Sequence, residues 1–246
     1  MTAIAGDNPL ADPVEEGRRV ITLATSEGID LRLFGGVAVA VRCRAASLPA
    51  LRRTYKDVDV ATLREHKRRV QQLLSAIGYV PEHEFNALHG RTRLLFTDPV
   101  NARPLDVIID QFTMCHSLDL RPRLLLDEMT LPTADLLLMK LQVFETNERD
   151  LLDAAALLLE GEVDIDRVAA VLASDWGWWR TAVHVLEKIE RYGTEIKDGT
   201  ISRALTQAVT RLRERVEEEP KSLKWRARSR VGDRVRWYEL PEEVGQ

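Results

Sequence analysis

Leu31-Arg32-Leu33-Phe34-Gly35-Gly36-Val37-Ala38-Val39-Ala40-Val41, followed after a basic insert by Tyr55-Lys56-Asp57-Val58-Asp59-Val60, is the stretch on which the fold turns. Leu31 to Phe34 reads as a strand, and the glycine pair makes a strand-to-helix turn, where a missing side chain lets the backbone come close to a ligand. Val37 to Val41 then reads as helix. The second run reads as another strand, whose alternation turns Asp57 and Asp59 to one face, about 6–7 Å apart. Two carboxylates so placed can grip one or two divalent cations. A third strand, Leu105-Asp106-Val107-Ile108-Ile109-Asp110, carries carboxylates in an apolar run. A buried carboxylate needs a partner, and a metal is one. Residues four apart on a strand stand about 13 Å from each other, so Asp106, and not Asp110, is expected to join the first two acids.

Phe34-Gly35-Gly36, Lys56-Asp57-Val58-Asp59-Val60 and the strand bearing Asp106 resemble, in that order, the glycine pair, Asp-x-Asp and third carboxylate of the DNA polymerase β-like nucleotidyltransferase superfamily. Ala134-Asp135-Leu136-Leu137-Leu138-Met139-Lys140-Leu141-Gln142 and Asn147-Glu148-Arg149-Asp150-Leu151-Leu152-Asp153 are similar to the Lys-Leu and Arg-Asp-x-x-Asp helical motifs of its bacterial abortive-infection toxin branch. The likeness covers roughly residues 30 to 160. It implies an α+β fold, a short mixed sheet with flanking helices followed by a helical C-terminal domain. It also implies a metal-dependent enzyme that moves a nucleoside monophosphate from a nucleoside triphosphate to a hydroxyl of RNA, protein or a small molecule. Asp57, Asp59 and Asp106 would hold magnesium or manganese, with Asp106 also helping to deprotonate the acceptor. Gly35 and Gly36 would hold the triphosphate, and Lys140 and Asp150 would complete the nucleotide pocket. An antitoxin is the protein partner that this branch implies. Val37 departs from the family, whose members usually carry Ser or Thr at or after the glycine pair. On that departure rests the alternative, an inactive nucleotidyltransferase-fold module that binds a partner or serves as an antitoxin.

Chemistry alone makes the same demand. Nucleotidyl transfer needs charge neutralisation on a polyanion and an activated hydroxyl, which paired magnesium ions supply. Glycines opening a helix offer N–H groups to phosphate. Neither the Gly-Lys-Ser/Thr phosphate loop nor the Gly-x-Gly-x-x-Gly dinucleotide fingerprint occurs in the chain.

With 246 residues, 45% of them hydrophobic, the chain can bury a core and exceeds the usual single domain. The expected division is a catalytic domain over residues 1–131, a helical domain over 132–220 and a basic aromatic tail over 221–246. A net charge of -4 excludes a protein that is basic throughout. Two cysteines, Cys43 and Cys115, exclude a disulfide framework and a multi-cysteine zinc site. The N-terminus shows no charged leader before an apolar run, and no segment reaches the roughly 20 apolar residues of a membrane span. A cytoplasmic protein without membrane contact is expected.

Periodicity predicts helices over Pro13–Ser26 and Leu63–Ile77, then strands over Arg91–Phe96 and Leu105–Phe112 joined by the Asp98-Pro99-Val100-Asn101 turn. Five helices are predicted after Pro132: Leu136–Phe144, Asp150–Leu159, Ile165–Leu172, Trp178–Ile189 and Ile201–Val216. His83, His89 and His116 lack metal-ligand spacing, and Cys115 beside His116 reads as a packed structural thiol. The Trp176-Gly177-Trp178-Trp179 cluster reads as a helix-packing anchor before a base-stacking platform. Lys140, Asp150 and Asp153 also admit a plain reading, as a snorkelling lysine and a solvated acidic helix start. In the tail, Lys221, Lys224, Arg226, Arg228, Arg230, Arg234 and Arg236 interleave with Trp225, Trp237 and Tyr238. That mixture suits an RNA backbone and its bases, and equally a tail folded back onto the protein's own acidic surface.

Overall fold

The computed structural model describes residues 8–160 and 162–239, so the last part of the basic tail lies outside the described residues. They form two compact units. One comprises the chain up to Arg42, Thr54–Phe112 and Asp119–Pro132; the other comprises Cys43–Arg53, Thr113–Leu118 and the chain from Thr133 onward. Among the described residues no helix is long and apolar enough to cross a membrane.

The first unit is α+β. Its elements run α1 (Pro13–Ser26), β1 (Leu31–Phe34), α2 (Gly35–Arg42), β2 (Val58–Thr62), α3 (Lys67–Ala76), β3 (Val80–Pro81), α4 (His83–His89), β4 (Arg93–Asp98) and β5 (Arg103–Ile109). The strands make a five-stranded mixed sheet in the order β1-β2-β5-β4-β3. Only β2 and β5 are parallel. A parallel neighbour requires a long crossover, here the chain from α3 through β4.

Alternation decides the faces. Leu94, Phe96, Leu105 and Val107 are fully buried on one side, while Arg93, Leu95 and Asp106 are half-buried on the other. The buried side supplies the core with Val20 and Ile21 of α1 and Val70 and Leu74 of α3. A sheet packed on one face leaves the other free for polar groups. The outer edge of β1 is covered, since Leu33 N–H donates to the Met129 carbonyl at 2.9 Å and Leu131 N–H to the Leu33 carbonyl at 2.8 Å. Unpaired edges invite aggregation, and this cover removes one.

Helix α1 starts where its sequence says. Asp12 accepts from the Val14 and Glu15 N–H groups at 2.8 and 3.0 Å, with Pro13 in the first turn. Its buried Glu16 is satisfied by the Tyr79 hydroxyl at 2.7 Å and Arg19 Nε at 2.8 Å.

Several predicted elements shift. The helix predicted from Leu63 begins as a 3-10 turn at Arg64–His66, whose Arg64 N–H donates to Asp110 Oδ1 at 2.9 Å, and becomes α3 only at Lys67. The strand predicted through Phe112 breaks at Asp110, whose φ of 64° suits a short polar side chain and ends the ladder. The chain resumes as β6 (Gln111–Thr113), which pairs with β7 (Ser117–Asp119) in a separate ribbon. Asp57 precedes β2 and is exposed, so it does not share the strand with Asp59.

In the second unit the helices are α5 (Thr133–Leu141), α6 (Glu148–Glu160), α7 (Ile165–Ser174), α8 (Trp176–Glu195), α9 (Gly199–Glu218) and α10 (Leu223–Val231). Helix α5 stops before the predicted Phe144, whose carbonyl accepts from Lys188 Nζ at 3.2 Å. Asp164, Asp175, Asp198 and Ser222 each cap the helix that follows. Leu205, Val209, Leu212 and Val216 form one buried stripe of α9, which packs on α7 and α8.

The tail continues as α10 and packs within this unit. Trp225 Nε1 donates to the Leu172 carbonyl at 3.3 Å, and Trp237 Nε1 to Thr181 Oγ1 at 3.2 Å. Arg228 lies 4.5 Å over the Trp176 ring, and Tyr238 stacks on Phe144 at 4.3 Å. Trp176 and Trp178 are each only 5% exposed, as a packing anchor requires.

Candidate active site

The register of the sheet assembles the acids. In the parallel ladder Asp59 stands opposite Asp106, and in the antiparallel ladder Phe34 stands opposite Asp59. Paired residues share a face, and neighbouring strands lie about 4.8 Å apart. Asp59 and Asp106 are therefore closer neighbours than two acids spaced along one strand. Asp57 lies just ahead of β2, near enough for its charge to act on Asp106.

The same register sets the glycine turn against Asp59. Gly35 has φ +65°, and a Cβ added there would come 2.1 Å from Asp59 Oδ2. Both the conformation and the space therefore require glycine. The Asp59 carboxylate thus sits beside the first residue of α2, where free N–H groups and the helix dipole favour negative charge. Val37, the departure from the family pattern, is 1% exposed. Its Cγ1 lies 2.8 Å from the position of a Cβ built on Gly17 of α1. The side chain at this position fills the α1–α2 contact, and an apolar residue is what that burial favours.

Arg93 is the residue that sequence reasoning missed. It sits on β4 opposite Ile108, one side-chain pair away from the Leu95–Asp106 pair, and reaches diagonally to Asp106. Its Nε lies 2.9 and 2.8 Å from Asp106 Oδ1 and Oδ2, and its Nη2 also donates to Oδ2. Burial holds the Asp106 carboxyl above the usual carboxylate range, with the Asp57 charge adding to it, while the hydrogen bonds and charge of Arg93 pull the other way. The hydrogen bond to Asp106 raises Arg93 in turn, with Asp59 contributing. An alternating strand with an arginine on its polar face was the only available signal, and its partner depends on register.

Asp110 faces elsewhere, accepting from the Arg64 backbone and from Arg64 Nε at 3.2 Å.

The donors Asp57, Asp59 and Asp106 are all hard carboxylate oxygens, the type magnesium and manganese take. The guanidinium on Asp106 stands where a cation's charge would be compensated, and the glycine turn keeps the flank of Asp59 clear. The donor type, carboxylate oxygen throughout, suits such an ion. Among the described residues no group of three or more His, Cys, Asp or Glu side chains is placed to hold a metal ion, and both Asp106 oxygens accept from Arg93.

Lys140 and Asp150 belong to the second unit, where they meet each other. Lys140 Nζ lies 2.8 Å from Asp150 Oδ1 and 2.8 Å from Asp153 Oδ2. Arg53 grips Asp153 through two contacts of 2.7 Å. Asp153 is 2% exposed and is the hub of this cluster, in contrast to the solvated helix start of the plain reading. Burial works against the Lys140 ammonium, but Asp153 and Asp150 outweigh it and hold its pKa above the ordinary lysine value. Two cations and two carboxylates balance, as buried charges must.

A cavity of about 440 Å³ also lies in the second unit, lined among others by His116, Trp176, Lys224, Arg228 and Trp237. His116 there bonds Thr181 Oγ1 at 2.9 Å and stacks on Trp178, and burial pushes its pKa down to about 4. Cys115 is buried, and burial raises its thiol, which is the opposite of an activated nucleophile.

A scan against protein-family models finds none that matches the chain, and a search of curated proteins finds no match.

Proposed function

We propose that the chain is a cytoplasmic, metal-dependent nucleotidyltransferase with the DNA polymerase β-like nucleotidyltransferase fold, its catalytic residues on the first unit and helices following. One observation carries the reading: Asp59 stands in register beside Asp106, with the Gly35 turn against its carboxylate and Asp57 just ahead. A carboxylate pair bordered by a helix N-terminus is what a triphosphate and its counter-ions require.

In this reading Asp57, Asp59 and Asp106 hold magnesium or manganese, which supplies Lewis-acid neutralisation of the phosphates and of the leaving pyrophosphate. Gly35 and Gly36 present backbone N–H groups to the triphosphate. Asp106 accepts the proton of the acceptor hydroxyl, a role suited to a carboxyl whose pKa is raised. The resemblance adds Lys140 and Asp150 as nucleotide-pocket residues, RNA, protein or a small molecule as acceptor, and an antitoxin as partner.

A second reading is an inactive module of the same fold that binds a partner. Arg93 closed on Asp106 favours it, since an internal cation there neutralises the third carboxylate. Labelled triphosphates of all four bases, incubated with magnesium and total RNA or lysate, separate the readings. The parent should label an acceptor and the Asp57→Asn/Asp59→Asn variant should not, with folding retained because removing two like charges relieves repulsion. Equal labelling by both proteins ends the catalytic reading, and absence of label in both favours the inactive module.

A further inference from the structure

The basic aromatic tail folds back within the second unit, and a cavity remains where it does so. From the lining of that cavity we infer that it is a nucleotide pocket, taking the base and phosphate of one nucleotide unit, either free or part of a single-stranded RNA. The inference stands apart from the catalytic reading, because every lining residue belongs to the second unit. Size is the first argument. At about 440 Å³ the cavity lies toward the small end of ligand pockets, with room for one mononucleotide. Four rings contribute to its wall: Trp176, Trp225, Trp237 and Tyr238. Trp225, Trp237 and Tyr238 are half-buried, so each is anchored and keeps part of its surface accessible. The indole N–H bonds of Trp225 to the Leu172 carbonyl and of Trp237 to Thr181 Oγ1 hold two of them in place. Rings anchored beforehand offer a base a stacking surface at little further cost in side-chain order.

Charge is the second argument. Lys224, Arg228 and Arg236 stand in the same wall, and among the described residues none of the three pairs with a carboxylate. The wall's own acids do not balance them: Asp175 Oδ1 accepts from the Trp178 N–H at 2.9 Å as the cap of α8, and Glu239 is exposed. A bound anion relieves the repulsion among such cations. Arg228 is the most firmly placed. Its Nη1 and Nη2 donate to the Gly232 and Val235 carbonyls at 2.8 and 2.7 Å, and its guanidinium lies over the Trp176 ring. Carbonyls leave its charge uncancelled, and a guanidinium has N–H groups beyond those two bonds. A fixed cation beside an aromatic wall is the combination that a phosphate and its base use. Gly177 permits the arrangement. A Cβ there would come 2.7 Å from the Trp237 carbonyl oxygen, so a side chain would push the returning tail off the start of α8. Folding back and nucleotide contact are then one device, since the tail builds the pocket by packing on its own unit.

The test is calorimetric titration of the full chain in EDTA, which keeps divalent ions from the sheet carboxylates. The ligands are nucleoside monophosphates of all four bases, the matching nucleosides, ribose 5-phosphate and a short single-stranded RNA. At least one monophosphate should bind about tenfold or more tightly than its nucleoside and than ribose 5-phosphate, because the charge-assisted bonds and the stacked base each contribute about that factor. RNA that binds no more tightly than the monophosphate assigns the pocket to a free nucleotide, and RNA that binds more tightly assigns it to a nucleotide unit of RNA. A nucleoside or ribose 5-phosphate as tight as the monophosphate, or no binding of any ligand, overturns the inference. Lys224→Gln/Arg236→Gln removes two lining cations and should weaken the monophosphate about tenfold or more. Arg226→Gln/Arg230→Gln removes two exposed cations of the same tail outside the lining and should leave its affinity unchanged. Equal loss in both pairs assigns the binding to diffuse tail charge and overturns the inference. Asp57→Asn/Asp59→Asn should bind as the parent does, and a loss there moves the binding to the sheet and overturns it too. Should the lining variant not fold, the parent answers by NMR: the indole Nε1–H resonances of Trp225 and Trp237 should shift when the monophosphate is added, and an absence of shift in both overturns the inference.

Discussion

Replacing Gly35 with Ala tests whether the glycine turn and Asp59 are built as one piece. An alanine at φ +65° costs about 1–2 kcal/mol in backbone strain alone. Its Cβ would also fall 2.1 Å from Asp59 Oδ2, which real contacts do not permit, so the carboxylate or the turn must move. The β1–β2 ladder limits the turn and the Asp59 backbone, whose Cβ would stand 3.2 Å from the added carbon. Overpacking of this kind adds about 1–3 kcal/mol. The sum is about 2–5 kcal/mol, a fall of roughly 5–15 °C in melting temperature for a chain of this length. Denaturant unfolding of the parent, Gly35→Ala, Asp59→Ala and the double variant separates the two causes. With the Asp59 carboxylate removed, Gly35→Ala should cost only the backbone strain, leaving a coupling of about 1–3 kcal/mol between the sites. A Gly35→Ala loss below about 0.5 kcal/mol, or the same loss in both backgrounds, would refute the argument.

Lys140→Met should destabilise the protein by about 3–5 kcal/mol, since Asp150 and Asp153 would then share only Arg53 inside the second unit; a loss under about 1 kcal/mol in denaturant unfolding would contradict a closed charge network. The His116 pKa is about 4 in the folded protein against 6.5 when free, so its neutral form stabilises the fold above pH 6.5 and that stability drains away as pH falls toward 4. The loss is at most about 3 kcal/mol. His116→Gln should flatten the stability curve in that window, and parallel curves for parent and variant would assign the acid sensitivity elsewhere. Because Trp225, Trp237 and Tyr238 pack in the second unit, removing the tail would unfold as well as discharge it. The exposed Lys224, Arg226 and Arg230 are the sharper probe. If the acceptor is RNA, their joint replacement by Gln should lower the salt dependence of binding by up to about two units with melting unchanged, and an unaltered slope would exclude them from phosphate contact.

Local features were written in the sequence. Asp12-Pro13 starts α1, the glycine pair ends β1 and opens α2, and the three- and four-residue apolar spacing of α6, α7, α8 and α9 is strong enough to find them. These signals are legible because caps, φ preferences and helical periodicity act over a few residues. The Asp-x-Asp run supplied one residue of β2, not two on one strand face. Asp57 falls before β2, and the neighbour of Asp59 is Asp106, forty-seven positions away, brought there by parallel register. Register belongs to two strands at once and is set by which faces are buried, so no single run of residues contains it. The same holds for Arg93 on Asp106, for Arg53 and Lys140 closing on Asp153, and for Arg64 on Asp110. Each is a charge whose partner lies far along the chain. Sequence alone determined which side chains could carry charge and chemistry; the tertiary structure decided which of them meet, because desolvation forces every half-buried charge to find a partner among whatever the sheet and helices place within reach.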